Sequence, residues 1–136
     1  MTPDEAREFV AGNHRAVLVT RASDGGLQTS PVVVGIDAEG KAVISSRETA
    51  YKVRNLRSRP IATLCVMDDG FYGTWAQIEG ETEIVSMPDA LDGLIDYYRR
   101  ISGEHPDWDE YRRAMEEEAR VLLRISFDKV GPTRFG

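Results

Sequence analysis

The stretch HRAVLVTRASDGGLQTSPVVVGID, residues 14–37, decides the fold. Residues 14–21 and 27–37 are rich in β-branched side chains, and ASDGG (22–26) between them carries the Asp-Gly chemistry of a tight turn. The segment predicts two antiparallel strands joined as a hairpin. Pro31 lies inside the second strand and has no N–H to give to a ladder. Its nitrogen side must therefore face a sheet edge, a bulge or a ligand.

Outward from this hairpin the same period recurs. Upstream, TPDEAREFVAGN (2–13) predicts a short helix: Thr2 caps it, Pro3 suits the first turn, Glu5 completes a capping box, and Gly12-Asn13 stop it. Downstream, KAVIS (41–45), IATLCVM (61–67), TWAQIEGETEIVS (74–86) and RVLLRISF (120–127) read as strands. In the third of these, Glu79, Glu81 and Glu83 alternate with Gly80, Thr82 and Ile84, as in a strand with one wet face. Leu91, Leu94, Ile95, Tyr98 and Ile101 form a stripe at helical spacing, predicting a helix over 86–101, and residues 105–119 predict another. Six strands joined mostly by tight turns do not suit a doubly wound parallel sheet. They predict a mainly β fold with α: a six-stranded antiparallel barrel with flanking helices, formed as a single domain over 1–136.

Composition narrows the function classes. The chain has 136 residues, enough for one real core, and a net charge of -6 from 17 Lys plus Arg against 23 Asp plus Glu. That acidic balance argues against a nucleic-acid binder. No apolar run approaches the roughly 20 residues that span a bilayer. The acidic N-terminus lacks the pattern of a signal peptide, and Cys65 is the sole cysteine, so a cytoplasmic protein without disulfides is expected.

Against this background SSRETAYKVRNLRSRP (45–60) gathers Arg47, Lys52, Arg54, Arg57 and Arg59, opposed only by Glu48. Ser45 and Glu48 have capping-box spacing, which predicts a helix from Ser45 or Ser46 to about Ser58, stopped by Pro60. Lys52, Asn55 and Arg59 would share one face. Helix dipole, serine hydroxyls and Lys52 together suit a phosphate or carboxylate; charge alone reads more simply as a solvated face. Other candidates carry less. His14 and His105 lack metal-ligand spacing, and no metal site is expected. Cys65 reads as a core thiol and Asp68-Asp69-Gly70 as a turn. Trp75 reads equally as core, stacking wall or subunit contact.

Taken in order, SPVVV, a third strand ending in serines, K-x-R-N-L-R-x-x-P, a strand leading to DDG, and YYRRISGEHPDWDEYRRAM (97–115) before RVLLRIS form a recognisable set. The set resembles the split β-barrel oxidoreductases related to pyridoxamine 5′-phosphate oxidase, and within them the actinobacterial branch that uses the deazaflavin coenzyme F-420. The likeness runs from the first helix to Gly131. It implies a homodimer with cofactor in grooves between two barrels, a small-molecule substrate, and no nucleic-acid or membrane partner. The strand from Gln28 through Ser30, Pro31, Val32 and Val33 would lie along the tricyclic ring. Ser45, Lys52 and Asn55 would serve the cofactor's phosphate, with Arg47 and Arg54 as neighbours and Trp75 near the dimer groove. Ala50 and Arg59 depart from the pattern, where an arginine and an acidic residue are usual. No catalytic residue is assigned, Tyr51 and Tyr72 being the only candidates for a proton donor. FMN as cofactor, or a non-catalytic flavin, deazaflavin or tetrapyrrole carrier, are the alternatives.

Overall fold

Thr2 and Glu5 close the expected capping box, the Glu5 amide on the Thr2 hydroxyl at 3.1 Å and the Thr2 amide on the Glu5 carboxylate at 3.0 Å. They start helix α1 (Pro3–Gly12) in a computed structural model that describes residues 1–131; the last five residues of the expected domain lie outside the described residues. The hairpin follows as β1 (Arg15–Arg21) and β2 (Leu27–Val33), paired Val17 to Pro31, with Gly25 at φ 86° turning the chain. Asp24 holds that turn by accepting the Gly26 amide at 2.8 Å.

The remaining elements are β3 (Gly35–Ile36), β4 (Ala42–Arg47), α2 (Tyr51–Ser58), β5 (Ile61–Met67), β6 (Trp75–Ser86), α3 (Leu91–Ser102), α4 (Trp108–Glu117), β7 (Arg120–Ile125) and β8 (Lys129–Gly131). The strands pair in the order β2-β1-β5-β6-β7-β4-β3, with β8 also on β6. All pairings are antiparallel, and the sheet curls into a half-barrel with helices outside. The barrel is thus confirmed, but it has eight strands among the described residues rather than six. The segment 27–37 is divided at Val34, although its amide still donates to the His14 carbonyl at 2.9 Å in the register of β1 and β2, and β8 adds a short strand. The 12-residue β6 serves both halves of the barrel: Trp75–Glu81 pair with β5, and Thr82–Ser86 pair with β7.

Alternation along the strands builds two cores. Leu18, Ile44, Leu64, Ile78, Leu123 and Ile125 fill the barrel, with Val53 and Leu56 of α2 closing one end. The opposite faces of β4 and β7 send Val43 and Leu122 against Leu94 and Ile95 of α3 and Tyr111 and Met115 of α4. No helix among the described residues is long and apolar enough to cross a membrane.

Two helix starts differ from expectation. Helix α2 begins at Tyr51 after Ala50, not at Ser45 or Ser46. Both serines lie on β4, laddered opposite Leu122 and Val121. Sheet pairing has overridden a local capping signal, because six residues of ladder outweigh one side-chain cap. Glu48 instead binds Arg57 and accepts from the Ser86 hydroxyl at 3.0 Å. Helix α3 begins at Leu91, since Ser86 completes β6.

Candidate functional site

Because β2 pairs only with β1 among the described residues, its other edge is free of them, and that is where Pro31 sits. A cleft of about 420 Å³ opens along this edge. Pro31, Val32 and Val33 form one wall, Ser45 of β4 and Lys52 of α2 another, and Tyr97 of α3 and Arg120 of β7 complete it. Five of the eleven residues anticipated from sequence therefore meet in one place. Tyr97 and Arg120 were missed. Tyr97 is one residue off the apolar stripe of its helix, and Arg120 merely precedes an apolar strand, so linear spacing held no signal for either.

The other anticipated residues are engaged elsewhere. Asn55 is buried, its amide donating to the Thr20 hydroxyl at 3.1 Å and to the Gln28 carbonyl oxygen at 3.0 Å. Gln28 is thereby part of an internal network that pins α2 to the hairpin, and Ser30 lies opposite Leu18 on the same strand pair. Arg47 donates to Glu118 at 3.0 Å, and Arg54 lies over the Tyr51 ring at 5.4 Å. Trp75 opens β6 opposite Met67, away from the cleft. Nor do Lys52, Asn55 and Arg59 act as one face: Arg59 caps the Arg21 carbonyl at 2.9 Å. We expect Asn55→Ala to lower stability by about 1–3 kcal/mol through the stranded Thr20 and Gln28 groups. Ligand affinity per folded molecule should move less than twofold, as denaturant melts beside titrations will reveal.

The electrostatics of the cleft are one-sided. Lys52 has no carboxylate partner among the described residues, and no acidic side chain lines the cleft. Burial, and then the positive charge of Arg120, hold the Lys52 ammonium below its ordinary value. A bound anion would reverse that penalty. Tyr97 donates to the Val33 carbonyl at 2.7 Å, tying α3 to the wall of the cleft. Burial pushes its phenol up, so it stays a neutral donor at physiological pH. The arrangement suits a small molecule with an anionic group at the Lys52 end and a flat body along β2; its volume falls in the usual range of about 300–1,000 Å³ for such sites.

Comparison with known proteins places this geometry. A family model described as pyridoxamine 5′-phosphate oxidase matches residues 2–134. A conserved hypothetical protein of Mycobacterium tuberculosis is similar at 24% identity and TM-score 0.78, over 96% of this chain and 82% of that one. An F-420 reductase is similar at 21% identity and TM-score 0.65, over 88% and 90%. A heme storage protein of Vibrio cholerae is similar at 17% identity and TM-score 0.72, over 98% and 95%. At these identities the likeness to solved structures is one of fold.

Proposed function

The chain belongs to the pyridoxamine 5′-phosphate oxidase family, and we propose that it is an oxidoreductase that uses coenzyme F-420 on a small unsaturated organic substrate such as a quinone, enone or tetrapyrrole. The observation that carries this reading is the unmatched positive charge of the cleft beside a free strand edge. Lys52 and the Ser45 hydroxyl would hold a phosphate, the one by charge and the other by a hydrogen bond. The residues fit such a group, because nothing acidic lines the cleft to compete for the ammonium. When bound, the deazaflavin supplies the hydride. The chain's own part is to orient: the β2 wall from Pro31 to Val33 offers backbone polar groups to a ring edge, and Tyr97 keeps that wall in place.

The same reading includes a homodimer. The outer face of the β2-β1-β5-β6 sheet carries Pro31, Val17, Cys65 and Gln77 in one row and Val33, Arg15, Met67 and Trp75 in the next. No element among the described residues covers it, and Val33 is 49% exposed there and Ile61 50%. A sheet face that mixes exposed apolar side chains with a few polar ones such as Arg15 and Gln77 is the sort that a second subunit buries. It adjoins the cleft wall, so a partner placed on it would close the cleft from above.

Titration with F-420, FMN and heme tests the assignment. We expect saturable F-420 binding followed by turnover with an unsaturated acceptor. FMN binding without F-420 binding would transfer the reading to a flavin enzyme, and binding without turnover across a panel of acceptors would make the chain a carrier. Lys52→Met should weaken F-420 by about 1–3 kcal/mol, or roughly 5–150-fold. Arg57→Ala, already matched by Glu48, should leave affinity alone. Lys52→Met should also hold or raise the melting temperature. A lysine whose folded pKa is depressed opposes folding at neutral pH, and that opposition fades as pH rises from the depressed value toward 10.5. The stability gain should shrink over the same interval.

A further inference from the structure

We infer that Arg120, posed by Glu118, is the residue by which the cleft selects a phosphate ester over the same ring system without phosphate. This rests on reading the cleft as a cofactor site and goes beyond it by assigning a ligand that no sequence motif contains. Arg47 and Arg120 stand directly opposite each other on β4 and β7. Like charges in that position repel, so the pairing needs a counter-charge. A single carboxylate oxygen of Glu118 provides it, accepting from Arg47 at 3.0 Å and from Arg120 at 2.8 Å. The hydrogen bond from Arg120 holds the Glu118 carboxyl below its usual range. Glu118 can reach back because Ala119 between them sits in the left-handed region at φ 48°, reversing the chain between α4 and β7.

One carboxylate shared by two guanidinium groups leaves one positive charge over. Arg47 is on the outside, 60% exposed, where water screens it; Arg120, 26% exposed, lines the cleft with Lys52. Its Nε is buried and without a hydrogen-bond partner among the described residues. Two cations thus face one pocket, and they raise each other's electrostatic cost until an anion arrives. A phosphate ester answers both, with the planar guanidinium providing directed donors and the ammonium a point charge.

Four ligands separate the sources of that phosphate: F-420, its chromophore without the phosphate-bearing tail, FMN, and riboflavin, with inorganic pyrophosphate as a bare probe. Dissociation constants are measured by fluorescence or calorimetry for wild type, Arg120→Ala, Arg120→Lys and Glu118→Ala, with circular-dichroism melts to confirm folding. We expect Arg120→Ala to weaken whichever phosphorylated ligand binds by 10–100-fold while the phosphate-free form changes less than twofold. Arg120→Lys, which keeps the charge and is the conservative fold control, should lose about 3–10-fold. Glu118→Ala discriminates sharply: removing a negative charge would tighten anion binding by field alone, whereas loss of the pose weakens it by several-fold, as we expect. Equal effects on phosphorylated and phosphate-free ligands, no effect of Arg120→Ala, or tighter binding by Glu118→Ala would overturn the inference while the cofactor reading stands. A wild-type protein with no preference for any phosphorylated form and no pyrophosphate binding would overturn both.

Discussion

Gly80→Ala is expected to abolish the fold or to lower its stability by about 4 kcal/mol or more, against a total of about 5–15 for a domain of this kind. A β-carbon at this position would stand 1.6 Å from the Ser126 carbonyl oxygen and 2.5 Å from its carbon. Both are backbone atoms, so no rotamer change relieves the clash. Retreat is blocked as well. The Ser126 amide donates to the Glu81 carbonyl at 3.0 Å, the Asp128 amide donates to the Glu79 carbonyl at 3.0 Å, and the Asp128 carboxylate accepts the Glu81 amide at 3.0 Å. These bonds stitch residues 126–128 to β6 on both sides of Gly80, at the corner where β6 passes from β5 to β7. Elsewhere in a strand the same change would reduce unfolded-state entropy and stabilise slightly. Urea denaturation decides the matter, and a midpoint within a few tenths molar of wild type would refute the close approach.

The second large effect is expected at Arg124. This guanidinium, 16% exposed, meets Asp37 at 3.0 Å, Glu39 at 2.8 Å and Glu83 at 2.7 Å. Glu39 and Glu83 are 74% and 55% exposed and turn to water when released, whereas Asp37 is 15% exposed and cannot. Asp37 also builds the turn from β3 to β4, accepting the Glu39 amide at 2.9 Å and the Lys41 amide at 3.0 Å. Arg124→Met therefore leaves a nearly buried carboxylate without its cation, and should lower stability by about 2–4 kcal/mol. Asp37→Asn keeps the oxygen the turn needs and removes the charge. The double variant should consequently be more stable than the sum of the single losses by about 1–2 kcal/mol. Additive losses in chemical denaturation would mean that Arg124 acts by packing alone.

Linear spacing carries no sign of either effect, since Gly80 stands in an ordinary strand alternation and Arg124 within an apolar strand. Gly80 alternates with the glutamates of β6, which marks it only as a dry-face position, and its contact comes from a segment 46 positions away. Local signals were legible where nothing competed with them. The Thr2–Glu5 box, the Asp-Gly turn, the edge position of Pro31 and the alternation in β6 all appear as read. The Ser45–Glu48 spacing was an equally good local signal and failed, because β7 offered β4 a ladder and Arg57 offered Glu48 a charge. Lys52 was found for a partly mistaken reason: it lies in the first turn of α2, but the serine that joins it comes from a strand.

By itself the sequence determined the strand and helix types, the antiparallel character and the presence of surplus cations near residue 50, since each follows from periods and turn chemistry within a few neighbouring residues. The tertiary structure alone decided which cations share a pocket. Pro31, Ser45, Lys52, Tyr97 and Arg120 come from five elements, and only the curl of the sheet and the register of β4 on β7 set them together. The same register put Arg47 opposite Arg120 and left Glu118 to be shared between them. Spacing along a chain reports neighbours on one element; charge left unmatched across several elements exists only once they pack.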